Sequence, residues 1–112
     1  PKSVLLLGPR QVGKSTLIKA LKPELEINLA DEAQFLRYAS DPAQFRDDIL
    51  GSECSTIFID EIQRLPRLLN SIQAIIDDNR KLKFYLTGSS ARKLRRGEAN
   101  LLPGRILLLL KT

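Results

Sequence analysis

Apolar side chains along this chain fall into two alternating rhythms. Short runs at 3–7, 25–29, 56–60, 83–87 and 105–110 are bounded by turn-forming residues and show little in-and-out alternation. Such runs predict strands covered on both faces, the habit of parallel sheets. Longer stretches between them carry helical spacing. Residues 13–21 read as a helix with Leu17, Ile18 and Leu21 on its buried side, ended by Pro23. A second helix over 31–39 takes Asp31 as its N-cap. Asp41-Pro42 then restarts a helix to about residue 50, with proline in the first helical position. The strongest pattern is 66–79, where Leu68, Leu69, Ile72, Ile75 and Ile76 share one face. Strands alternating with helices predict an α/β domain over residues 1–112 with a five-stranded, mainly parallel sheet between helical layers.

Composition narrows the chemistry. The 112 residues include no histidine, no methionine and one cysteine. That excludes a Ser-His-Asp triad, an imidazole base, a disulfide framework and a Cys/His zinc site. The longest apolar run, at 106–110, is far short of the ~20 residues that cross a membrane, so no membrane association and a cytoplasmic setting are expected. With no methionine, and apolar strands close to both ends, the chain reads as a domain excised from a longer protein.

Gly8, Pro9, Arg10, Gln11, Val12, Gly13, Lys14 and Ser15 fit G-x-x-x-x-G-K-[ST], directly after a predicted strand and leading through Thr16 into a predicted helix. That context defines a P-loop. Its glycines let successive backbone N–H groups curl toward phosphate oxygens, and the helix start adds positive dipole. Lys14 is then expected to bridge the β- and γ-phosphates, and Ser15 to ligate Mg²⁺.

The strand at 56–60 ends in Asp60-Glu61. A Walker-B aspartate there holds Mg²⁺ together with the P-loop hydroxyl, and the following glutamate orients or deprotonates the attacking water. The catalytic set expected is therefore Lys14, Glu61 and a polar sensor, with Ser15 and Asp60 toward the metal. In P-loop ATPases with such a glutamate, the next strand usually lies between the Walker-B and P-loop strands, giving sheet order 5-1-4-3-2. Adjacent strands lie ~4.8 Å apart, so a hydroxyl ending the strand at 83–87 would sit between Lys14 and Asp60. Thr87, Ser89 and Ser90 compete for that sensor position, with Ser89 taken as the representative. A GTPase would need an Asp-x-x-Gly switch after the strand and an Asn-Lys-x-Asp base reader, and neither occurs. ATP with Mg²⁺ is the expected ligand, and hydrolysis is favoured over phosphoryl transfer to a metabolite. The alternative is an ATP-dependent, DNA-associated or regulatory switch with little turnover.

In the stretches Gly8 to Thr16, Ile59 to Leu65, Leu86 to Leu94 and Leu102 to Arg105, the chain resembles a family of bacterial and archaeal ATPases in the AAA+ superfamily. The resemblance implies a three-layer P-loop fold and ATP binding with Lys14, Ser15, Asp60 and Glu61 in the roles above. It also implies a larger C-terminal region following the ATPase domain.

The net charge of +5 is unevenly placed. Residues 1–63 hold 7 basic and 10 acidic side chains, whereas 64–112 hold 11 basic and 3 acidic. Arg92, Lys93, Arg95 and Arg96, with Arg105 beyond, would supply an arginine finger across a homo-oligomer contact, meet nucleic-acid phosphates, or coat a solvated helix. No interleaved aromatics accompany them, which leaves single-strand stacking unsupported. Asp47-Asp48 and Asp77-Asp78 are expected on solvated faces, since adjacent helix positions diverge. Cys54 reads as a structural or solvent thiol. Arg10 and Arg64 receive no role, and Gln63 reads equally as a water-orienting or a loop residue.

Overall fold

The computed structural model describes residues 3–8, 14–89 and 106–110. Leu7, Lys14, Ser15, Leu17, Ser89 and residues 106–110 are described through their backbone alone. In chain order the elements are β1 (Ser3–Gly8), α1 (Lys14–Lys19), β2 (Leu25–Asn28), α2 (Glu32–Ser40), α3 (Pro42–Gly51), β3 (Thr56–Asp60), a 3-10 turn (Ile62–Arg64), α4 (Leu68–Asp78), β4 (Lys83–Ser89) and β5 (Ile106–Leu110). All five expected strands form.

They build one sheet in the order β2-β3-β4-β1-β5, and every pairing is parallel. Read from the other edge, this is the order 5-1-4-3-2 expected from the motifs. Each parallel pairing needs a crossover, and among the described residues α2, α3 and α4 cover one face and α1 the other. Leu5, Ile27, Ile57, Ile59, Phe84 and Leu86 point to one face, where Tyr38, Phe45 and Ile49 of α2 and α3 and the apolar face of α4 close over them. Leu6 and Phe58 point the other way and meet Ile18 of α1. Three consecutive residues of β3, Ile57, Phe58 and Ile59, are thus buried, which is why that strand shows no alternation.

The caps behave as their chemistry dictates. The Asp31 carboxylate accepts the Gln34 N–H at 3.1 Å, and that of Asp41 accepts the Ala43 N–H at 3.1 Å beside Pro42. All five residues of the predicted α4 face are buried.

Two expectations are corrected. Leu21 is 54% exposed and not on the buried side of a helix, because α1 ends at Lys19. The chain leaves it through 3-10-type bonds, Leu21 N–H to Ile18 O and Lys22 N–H to Lys19 O, with Lys22 at φ 52° just before Pro23. Asp48 is not a solvated carboxylate. It accepts from Arg37, Tyr38 and Gln44 and ties α2 to α3. Asp78 in turn pairs with Arg46 at 3.1 Å. The 3-10 turn after Asp60-Glu61 was not anticipated, since three residues are too few to show periodicity. Cys54 is a half-buried free thiol whose Sγ lies 3.6 Å from Ser52 O.

Candidate functional site

Parallel pairing brings the C-terminal ends of β1, β3 and β4 to one edge of the sheet, the edge at which open α/β sheets bind ligands. Register makes this specific. Gly8, the last residue of β1, lies opposite Ser89, the last residue of β4, while Ile59 lies opposite Leu86. Asn28, at the end of β2, lies opposite Asp60. The chain of Lys14, Ser15 and Thr16 forms the first turn of α1, and Thr16 is exposed. Pro9, Arg10, Gln11, Val12 and Gly13 lie outside the described residues, as do Ser90, Arg92, Lys93, Arg95, Arg96 and Arg105.

The best-defined part of the site is the end of β3. The Thr87 hydroxyl, fully buried on β4, donates to Asp60 Oδ1 at 2.6 Å and accepts the Glu61 N–H at 3.3 Å. Glu61 takes a left-handed backbone, φ 61° and ψ 49°, and its carbonyl accepts the Arg64 N–H to open the 3-10 turn. Gln63, in that turn and buried, donates from Nε2 to Glu61 Oε1 at 2.8 Å. Left-handed conformations are uncommon away from glycine and concentrate at functional sites. Among the described residues Glu61 shares this conformation with Lys22 and Glu53, and of the three it alone lies at the end of β3.

Two other side chains are placed differently from their sequence reading. Arg64, given no role above, stacks its guanidinium 4.9 Å from the centre of the Phe35 ring, lies 3.9 Å from a Glu32 oxygen and donates to Ala30 O at 3.4 Å. It fastens the turn after Glu61 to the start of α2. Gln63, read equally as a water-orienting or a loop residue, lies buried against Glu61. Its one sequence signal was its position two residues after Glu61.

Asp60 also borders a cavity of about 200 Å³ lined by Lys19, Glu26, Asn28, Gln34 and Phe58. This space lies on the β2 side of Asp60, whereas Gly8 and Ser89 meet on its β4 side.

The donor set can be tested against Mg²⁺ and a nucleotide. Among the described residues no group of three or more His, Cys, Asp or Glu side chains could hold a metal ion by itself. Mg²⁺ seldom uses such a cage. It is commonly held by one or two carboxylates, with phosphates and water completing its shell. One hard carboxylate oriented at a strand end, as Asp60 is by Thr87, fits that chemistry.

The chain is similar in sequence to known proteins. Over 68 residues the chain is 37% identical to the Holliday junction branch migration complex subunit RuvB of Bifidobacterium adolescentis. The stretch covers 60% of this chain and 18% of that protein, so the match spans less than a fifth of the relative's length. The profile of the AAA domain family matches residues 1–110, nearly every position from the first strand to the last, and the chain belongs to that family of P-loop ATPases.

Proposed function

We propose that the domain binds Mg-ATP and hydrolyses it. Family membership supports a nucleotide-binding, ATPase-type role. The observation that carries hydrolysis is the Asp60-Glu61 pair at the end of β3, with Thr87 joining the two residues and Gln63 holding the glutamate. In this reading Lys14 and the backbone of residues 8–16 grip the β- and γ-phosphates. Ser15 and Asp60 would hold Mg²⁺, which would supply positive charge against the phosphate oxygens. Glu61 orients a water and takes its proton as the water attacks the γ-phosphorus in line, the bond to the β,γ-bridging oxygen breaks, and ADP and phosphate leave; Ser89 or Ser90 supplies the hydroxyl that contacts the γ-phosphate.

The test separates binding from turnover. Glu61→Gln should keep Mg-ATP affinity within a few-fold and lower kcat by about 10²–10⁴-fold, the usual contribution of a general base. Lys14→Ala should weaken binding itself. Equal, negligible turnover in the native chain and in Glu61→Gln would leave only a nucleotide-dependent switch.

A second reading, association with nucleic acid, rests on the partial likeness to RuvB and on the basic second half of the chain. It predicts DNA binding whose affinity falls steeply with salt. The same half carries the arginines that would reach a neighbouring copy's γ-phosphate in a homo-oligomer, from among Arg92, Arg95, Arg96 and Arg105.

A further inference from the structure

Buried polar side chains are scarce among the described residues: Ser3, Gln63 and Thr87. A buried hydroxyl or amide is costly without a partner, so where each finds one is informative. Ser3 Oγ accepts the Phe84 N–H at 2.8 Å and serves the sheet. Gln63 and Thr87 come from different elements, yet both converge on Asp60-Glu61. Between them they hold the Glu61 amide and its carboxylate, while the 3-10 turn holds its carbonyl.

We infer that Gln63 and Thr87 are positioning residues that preset the Glu61 carboxylate relative to Asp60 before a nucleotide arrives. The inference rests on the reading of Glu61 as the water-activating base and assigns the residues that aim it. The Thr87 hydroxyl has one proton, and Asp60 receives it. Its oxygen accepts the Glu61 N–H, so one atom links the carboxylate that meets the metal to the backbone of the base. That link keeps Glu61 in its left-handed conformation, which directs the side chain away from the path an extended strand would give it. Gln63 then fixes the far end of the side chain, its Nε2 donating to Glu61 Oε1. A base already oriented loses less freedom on reaching its reactive geometry, and small misplacements cost large factors in rate. Thr87 thereby has a task distinct from contacting the γ-phosphate.

Two experiments on the full chain test this. In the nucleotide-free protein, amide hydrogen exchange should show the Glu61 N–H protected in the native chain and in Thr87→Ser. It should exchange at least tenfold faster in Thr87→Val, which keeps shape and loses the hydroxyl. In turnover assays Gln63→Leu and Gln63→Met should lower kcat about 10–100-fold, as loss of a supporting partner does, with Mg-ATP affinity within about twofold. Thr87→Val should lower kcat similarly, and Thr87→Ser should restore it. Placed in the Glu61→Gln background, Gln63→Met should lower the residual rate no further, whereas a merely structural role would lower it again. Thermal midpoints identify any variant that fails to fold, and the two Gln63 variants guard against losing one. Native kcat in both Gln63 variants, a further loss in the Glu61→Gln background, or an unchanged Glu61 exchange rate in Thr87→Val would overturn the inference. A native chain without turnover would overturn the hydrolysis reading and this inference with it. An active native chain beside a Glu61→Gln variant slowed about 10²–10⁴-fold keeps the reading and lets these variants alone decide.

Discussion

Asp48 shows how one side chain organises a helix pair. Arg37 Nε and Nη2 reach its carboxylate at 2.7 and 2.9 Å, the Tyr38 hydroxyl at 2.7 Å and the Gln44 amide at 2.8 Å. The Arg37 hydrogen bonds hold the Asp48 carboxyl well below its usual range, and Tyr38 and Gln44 act in the same direction. Burial, then the neighbouring Asp48, pushes the Tyr38 phenol up to about 12. The two groups set opposite pH limits. A depressed carboxyl contributes stability that is full above its ordinary value near 3.8 and is lost as pH falls below that toward the folded value. A raised phenol contributes stability that is full below 10.0 and is lost as pH climbs toward about 12. Denaturant titrations across pH should therefore show stability falling below about pH 4, and Asp48→Asn should flatten that fall. Tyr38→Phe should cost about 1 kcal/mol at neutral pH, the net worth of a typical hydrogen bond, and should remove the alkaline loss. None of this was legible beforehand. Adjacent acidic residues on a helix read as solvent-facing, and only the packing of α2 on α3 shows which one turns inward.

At the scale of elements, local signals and structure agree where each signal is complete within a few residues. Asp31 caps the helix it was expected to cap, and Asp41 caps the helix that Pro42 was expected to open, because a carboxylate before a run of helical N–H groups satisfies them without help from elsewhere. Asp41→Ala should cost about 1 kcal/mol, measurable as a lower denaturation midpoint. The α4 stripe is buried throughout, so Leu69→Ala should cost about 2–5 kcal/mol through lost burial and the cavity left behind. Leu21 shows where the same reasoning overreaches. Its spacing from Leu17 and Ile18 suits a helix, but the chain has already left α1 at Lys19, so helical phase no longer sets where it points.

For the whole molecule, the sheet order decides the site. Only with β4 between β1 and β3 do Gly8, Ser89 and Asp60 gather at one edge. If Mg-ATP binds there, the folded state should gain about 2.7 kcal/mol at a nucleotide concentration one hundred times Kd. A thermal shift should reveal that gain in the native chain and in Glu61→Gln, but not in Lys14→Ala.

Much of this protein was determined by its sequence alone. The strands, the helices and the Asp31 cap are local patterns, legible because their spacing follows from the geometry of single elements. The motifs also anticipated the strand order, through the separate strands they require at one sheet edge. What only the tertiary structure decided is which side chains serve those motifs. Thr87 lies 26 residues from Glu61 along the chain, and no periodicity links them. They meet because β3 and β4 pair in one register, and a shift of one residue would turn the Thr87 hydroxyl to the opposite face of the sheet. Gln63 acquires its partner from a left-handed residue and a 3-10 turn that leave no hydrophobic signature. Contacts between distant residues are products of packing, and they became visible only once the core had closed.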